Sequence, residues 1–163
     1  MASETSTTRP GAARAEQIIE ANDELVAFIE ACTDEDWGRM CAAEAWHVSV
    51  VAHHAAWGHE VAAGWIRTIR SGKDVPGSPE LHDAGNEKKA ASVAGISRDE
   101  VIALANENVA AYADLLRTLT DEDLSKSAAF GPAGGMPMSV DRLAGARRHL
   151  DGHLGSMRGA VGR

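Results

Sequence analysis

Four stretches of roughly 20 residues repeat apolar side chains every three to four positions, and that period commits most of the chain to helices with one face to bury. From Arg14 to Cys32 the stripe is Ile18, Ala21, Leu25, Phe28, Ile29 and Cys32, with Glu16, Glu20, Asp23, Glu24 and Glu30 largely on other faces. A second apolar stretch runs from Val48 to Ile69 and stops at "SGKDVPGSP", where Gly72, Pro76, Gly77 and Pro79 forbid continuation. The third opens at Ser97, which with Glu100 forms a capping box, and carries Val101, Leu104, Ala105, Tyr112, Leu115 and Leu119. The fourth extends from Ser139 to Val161 on Leu143, Leu150, Leu154, Met157 and Val161. Four such helices predict an all-α four-helix bundle. The connection from Ser71 to Ile96 is long enough to travel the whole bundle, since a helix of about 20 residues spans about 30 Å and extended chain covers about 3.3 Å per residue. That crossover allows helices two and three to run parallel.

The rest of the composition agrees. With 163 residues the chain suits one domain with a real core, and few aromatics on an Ala-rich background favour helix over sheet. Residues 1–12, rich in Ser and Thr with Pro10 and Gly11, read as a disordered arm, which puts the domain at 13–163. A formal charge of −8 and a pI near 5.3 would repel a phosphate backbone, so nucleic acid is not expected as a partner. Neither a signal peptide nor a membrane span is legible, and the expected location is the cytoplasm. Cys32 and Cys41 are too few for a disulfide framework and read as free, semi-buried thiols. "TDEDW" at 33–37 and "TDEDL" at 120–124 follow helices one and three. Thr as cap and acids in the first turn explain each as a short capped helix, and an ancient duplication explains both; either way they mark equivalent positions in two helical hairpins.

The chemistry concentrates in histidines. "RRHLDGHL", 147–154, places His149 and His153 at i and i+4, where two imidazoles on one helical face can converge on an ion. The spacing alone is equally an accident of surface sequence. Gly145, Ala146, Gly152, Ser156 and Ala160 lie on the same side, small enough to let a neighbour approach. A metal site wants at least three protein ligands. "AWHVSVVAHHAAWGHE", 45–60, offers four histidines, and periodicity selects His54, whose face carries Val50, Val51, Trp57, Gly58, Val61 and Trp65. His47, His53, His59 and His82 are expected to face solvent, His53 being the one of these with most claim to a role.

At these motifs the chain resembles the DinB-like superfamily, which includes the N-terminal domain of mycothiol-dependent maleylpyruvate isomerase. "WHVSVVAHHA" is similar to the family's Trp-x-Val opening of helix two, with the ligand histidine eight residues after Trp46. "RRHLDGHL" resembles its helix-four His-x3-His pair, and "HDAGNEKKAAS" with the helix that follows resembles the actinobacterial branch. The resemblance implies a divalent metal, zinc or nickel, held by His54, His149 and His153 in the cleft of a bundle with a long crossover. It departs in one respect: members with thiol isomerase chemistry carry a second domain, and this sequence stops at Arg163.

Three neutral imidazoles would leave the ion its full charge and open positions for a ligand. The resemblance adds thiol-dependent transfer, so the leading expectation is a metal- and mycothiol-type thiol-dependent S-transferase or isomerase whose partners are a small thiol and a small electrophile. The alternatives are a metal-dependent hydrolase, in which the ion would supply hydroxide, and a non-catalytic metal or small-molecule binder. For hydrolysis Glu60 is the nearest carboxylate, but six residues from His54 it points away. Asp83, Asn86 and Asn108 are candidate substrate-binding residues, the first two at the site mouth and Asn108 also a candidate for orienting a ligand histidine. Trp46, Trp57 and Trp65 are expected in the core or at an interface between copies, as in a homodimer.

Overall fold

The computed structural model describes residues 9–145 and 147–163. Its elements in order are α1 (Pro10–Glu30), α2 (Asp34–Trp37), β1 (Met40–Cys41), β2 (Trp46–His47), α3 (Val48–Arg70), α4 (Pro79–Ser92), α5 (Arg98–Arg117), α6 (Asp121–Ser125), β3 (Ser127–Phe130), β4 (Met136–Ser139), α7 (Val140–Ala144) and α8 (Arg147–Val161). The long helices α1, α3, α5 and α8 are the four amphipathic stretches, and the architecture is the all-α bundle expected. Residues 1–8 of the proposed arm lie outside the described residues. Its last part is already helix: Pro10 sits in the first turn of α1, where a missing N–H costs nothing.

Side-chain pairings give the helix directions. Gly11 lies against Leu116 and Asn22 meets Asn106, so α1 and α5 are antiparallel. Asn108 meets Ala56, Tyr112 meets His59 and Thr118 meets Arg70, so α3 and α5 run parallel, as the crossover permits. Arg147 reaches Glu20 and Arg163 reaches Ala31, which makes α1 and α8 parallel. The crossover is not bare loop: Ser78 caps α4, which lies along it.

The α1–α5 seam depends on a glycine. A Cβ on Gly11 would stand 1.7 Å from the Leu116 carbonyl oxygen, so only hydrogen fits. The core runs from Ile18, Leu25 and Ile29 through Val51, Ile66 and Ile69 to Leu116, Leu154 and Met157, all essentially closed to solvent. Burying each such side chain contributes about 1.5–3 kcal/mol against the chain entropy it costs. Both "TDED" segments form short helices with reciprocal capping boxes, Thr33 with Asp36 and Thr120 with Asp123. Trp37, ending the first, donates from Nε1 to the Ile96 carbonyl and pins the end of the crossover.

The fourth helix is interrupted. Expected as one run from Ser139, it divides at Gly145 into α7 and α8. Tyr112, fully buried in α5, donates its hydroxyl to the Leu143 carbonyl at 3.0 Å, satisfying an acceptor at the end of α7 that a continuous helix would normally use itself. Before the break, β3 and β4 form an antiparallel ribbon around Gly131, and Val75 docks on Phe130. A Cβ on Gly131 would lie 2.5 Å from the Gly77 carbonyl oxygen, so the crossover and the ribbon approach backbone to backbone. Among the described residues no helix is long and apolar enough to cross a membrane.

Candidate metal centre and its cavity

His54 projects from the second turn of α3 toward α8, whose His149 and His153 stand one turn apart. The three rings meet edge to face, with centroids 5.8 Å apart for His54–His149, 5.0 Å for His54–His153 and 4.5 Å for His149–His153. One nitrogen from each lies within 4.8 Å of the other two, and the Nε2 atoms of His149 and His153 are 3.2 Å apart. The structure thus brings together the three histidines singled out from spacing and resemblance.

A fourth residue, absent from the sequence reading, orients them. Glu44, in the turn between β1 and β2, places Oε1 2.9 Å from His153 Nδ1, while its Oε2 accepts from the Ser156 hydroxyl. Burial pushes the Glu44 carboxyl up, but the hydrogen bonds from Ser156 and His153 outweigh that and hold it below the usual carboxylate range. An ionised Glu44 accepts the proton on His153 Nδ1, which leaves the Nε2 lone pair facing His54 and His149. Ser156, expected only to make room, has this specific task; Ala146, named beside it, lies outside the described residues. The signal was weak, since Glu44 is a lone acid in a ten-residue connection and pairs with a residue over a hundred positions away.

The electrostatics suit a metal. Burial, then the neighbouring imidazoles, lowers both His54 and His149 to about 4. His149 is open to the cavity rather than covered, yet the concave walls and His153 keep it neutral. Two imidazoles held neutral by burial, beside a third whose ring is oriented by a carboxylate, form a donor set that fits a divalent cation.

The other histidines divide differently from expectation. His47 is exposed, as predicted, with Nδ1 2.7 Å from the Gly38 carbonyl. His53 and His59 are buried at 4% and 3% exposure instead of facing solvent. The reason is the position of α3, enclosed by α5 and by α7 and α8, while Lys89 of α4 lies over Trp57 and its charge acts on His53. His59 stacks on Tyr112 with centroids 5.8 Å apart, its Nε2 has no partner among the described residues, and burial lowers its pKa to about 4. His82 is half-buried against Trp65, not solvent-facing.

A cavity of about 670 Å³ opens from the histidines between α3, α4 and the α7–α8 break. His54, Trp57, Val61, Trp65, Leu143 and His149 are among its lining. The break explains why Trp57 and Trp65, expected in the core or at an interface, stand on a cavity wall. Asn86 lies at the mouth as anticipated, donating to His82 Nε2 at 3.2 Å. Asp83 is exposed and does not line the cavity. Asn108 touches no ligand histidine; its amide donates to the Ala56 carbonyl and ties α5 to α3. Glu60 is exposed, as its spacing indicated, and Cys32 and Cys41 are free and buried.

The profile of the DinB superfamily matches residues 17–157. The solved structure of YfiT from Bacillus subtilis, described as "a probable metal-dependent hydrolase with an unusual four-helix bundle topology", aligns with a TM-score of 0.72 at 19% identity, over 99% of this chain and 93% of that one. At that identity the likeness speaks to fold. No curated protein matches the sequence. With its motifs carried on the expected helices and the family profile spanning most of its length, this chain belongs to the DinB superfamily.

Proposed function

We propose that this protein is a divalent-metal-dependent enzyme that promotes attack of a small thiol, of the mycothiol type, on a small electrophile. The observation that carries the reading is a three-imidazole cluster at the head of an apolar-walled cavity whose one carboxylate, Asp141, is engaged by Arg14. Thiol attack needs no carboxylate base once the sulfur is deprotonated, and the carboxylates near the site, Asp141 and Glu44, are already engaged by Arg14 and by His153 and Ser156. His54, His149 and His153 would hold the ion, zinc or nickel, which when bound supplies a Lewis-acidic centre that lowers the pKa of an incoming nucleophile.

The remaining work falls to the chain's own residues. Glu44 and Ser156 keep His153 Nδ1 protonated and its Nε2 turned inward. Trp57, Val61, Trp65 and Leu143 shield the electrophile from water. Cys32 and Cys41 take no part, because both are buried, and burial pushes Cys41 up to about 11, so the reacting sulfur comes from outside. In the reaction the thiol proton passes to solvent, a sulfur–carbon bond forms, and the electrophile either expels its leaving group or takes up a proton beside the new bond.

Hydrolysis is the second reading, favoured by the description of YfiT. It has the weaker local support, since Glu44 is committed to His153 and Ser156 and Glu60 is exposed away from the cluster. Cobalt-loaded protein separates the readings. A sulfur-to-metal band on adding thiol, with conjugation faster than the uncatalysed rate, is the expected result. Ester turnover without thiol selects the hydrolase, and neither activity leaves a non-catalytic binder.

A further inference from the structure

Arg142, in α7, and Arg148, in the first turn of α8, flank the helix break, and both line the cavity that contains His54 and His149. Most described arginines face a carboxylate. Arg147, immediately before Arg148, reaches three: Glu20, Glu24 and Asp151. Arg142 and Arg148 reach none among the described residues. The acid nearest in sequence, Asp141, is already held by Arg14 through both its carboxylate and its backbone carbonyl. In a chain of formal charge −8, two guanidiniums left free at one cavity rim form a local cationic patch in an anionic protein.

From this we propose that Arg142 and Arg148 form an anion subsite, so that the cavity takes an organic anion with its apolar part against Trp57, Trp65 and Leu143. The inference rests on the cavity of the proposed function but not on the metal. Guanidinium suits the task because its planar donors match a carboxylate, and being exposed these two lose little hydration on binding. The substrate class narrows accordingly: at least one reactant carries a negative group at a distance from its reacting atom, bridged by an apolar segment.

The test uses octanoate and octanol, which share an alkyl chain and differ in charge, titrated by calorimetry and tryptophan fluorescence into the full-length protein, metal-free and zinc-loaded. Metal-free wild type should bind octanoate about tenfold more tightly than octanol, and rising salt should shrink that preference. The double variant R142Q/R148Q should bind both alike, with octanol affinity and zinc content unchanged. The proposal is overturned if metal-free protein shows no preference or binds neither probe, if R142Q/R148Q retains the preference, or if it appears only with zinc and so reports carboxylate on the ion. Protein that takes up no zinc yet prefers octanoate in a salt-sensitive way would sink the metal reading and leave the subsite standing.

Discussion

The α1–α5 seam and the α3–α8 seam are both helix contacts in one bundle, and they are built for different ends. Along the first, Gly11 brings backbone onto the Leu116 carbonyl and Arg117 closes the end on Glu16 and Asp114. Along the second, the chain breaks at Gly145, three imidazoles point at one another, and a cavity remains. Close packing holds the fold; three imidazoles converging on one point hold the chemistry. Stability and function are therefore separable to a degree unusual in small metal-binding domains, where the ion replaces a missing core.

The sharpest attack on that separation is His153→Ala. It should abolish stoichiometric uptake of divalent metal, measured by elemental analysis, while metal-free melting stays close to wild type. Full occupancy in the variant would show the cluster has been misassigned. Chelating the wild type should likewise lower its melting temperature yet leave its helical circular dichroism; unfolding in chelator at room temperature would erase the contrast between the seams.

Gly11→Ala probes the other seam. Its new methyl must displace a backbone carbonyl, and overpacking of this kind costs about 1–3 kcal/mol or more, read from denaturant midpoints. The folded fraction should bind metal normally. Glu44→Gln comes next, with a loss of about 10–100-fold in metal affinity, because the neutral amide orients His153 less firmly. An unchanged affinity would make Glu44 a structural partner only.

Acid should strike the histidine side first. His54, His59 and His149 have folded values of about 4, below the ordinary value near 6.5, so the unfolded chain binds more protons in that interval. Metal-free stability should be level above about pH 6.5 and fall progressively toward pH 4, and His59→Phe should flatten part of the fall. A stability that rises as pH drops from 6.5 to 5 would contradict the burial of these rings. Smallest are the caps: Thr33→Ala and Thr120→Ala should each cost about 1 kcal/mol by chemical denaturation without changing metal content.

Much of this was legible from local pattern. The apolar period placed the four long helices, Ser97 with Glu100 and the two "TDED" segments announced their capping boxes, and the i, i+4 pair with His54 pointed to one cluster. Local pattern failed where the answer depended on what packs from outside. His53 and His59 read as surface because helical periodicity gives α3 one apolar side, whereas α5, α7 and α8 together enclose it on several. Glu44 was invisible because its meaning lies in a hydrogen bond to α8.

Periods and lengths that any helix obeys carried the class of fold and permitted a parallel course for α3 and α5, and together with the family motifs they pointed to the triad of histidines. Tertiary structure alone decided that the fourth helix breaks at Gly145, that Tyr112 satisfies the carbonyl at the break, and that two tryptophans and two arginines consequently surround a cavity rather than a core or a solvated face. The physical reason is that a helix break, an ion pair and a cavity are properties of the space between elements, and no repeat within one element encodes that space.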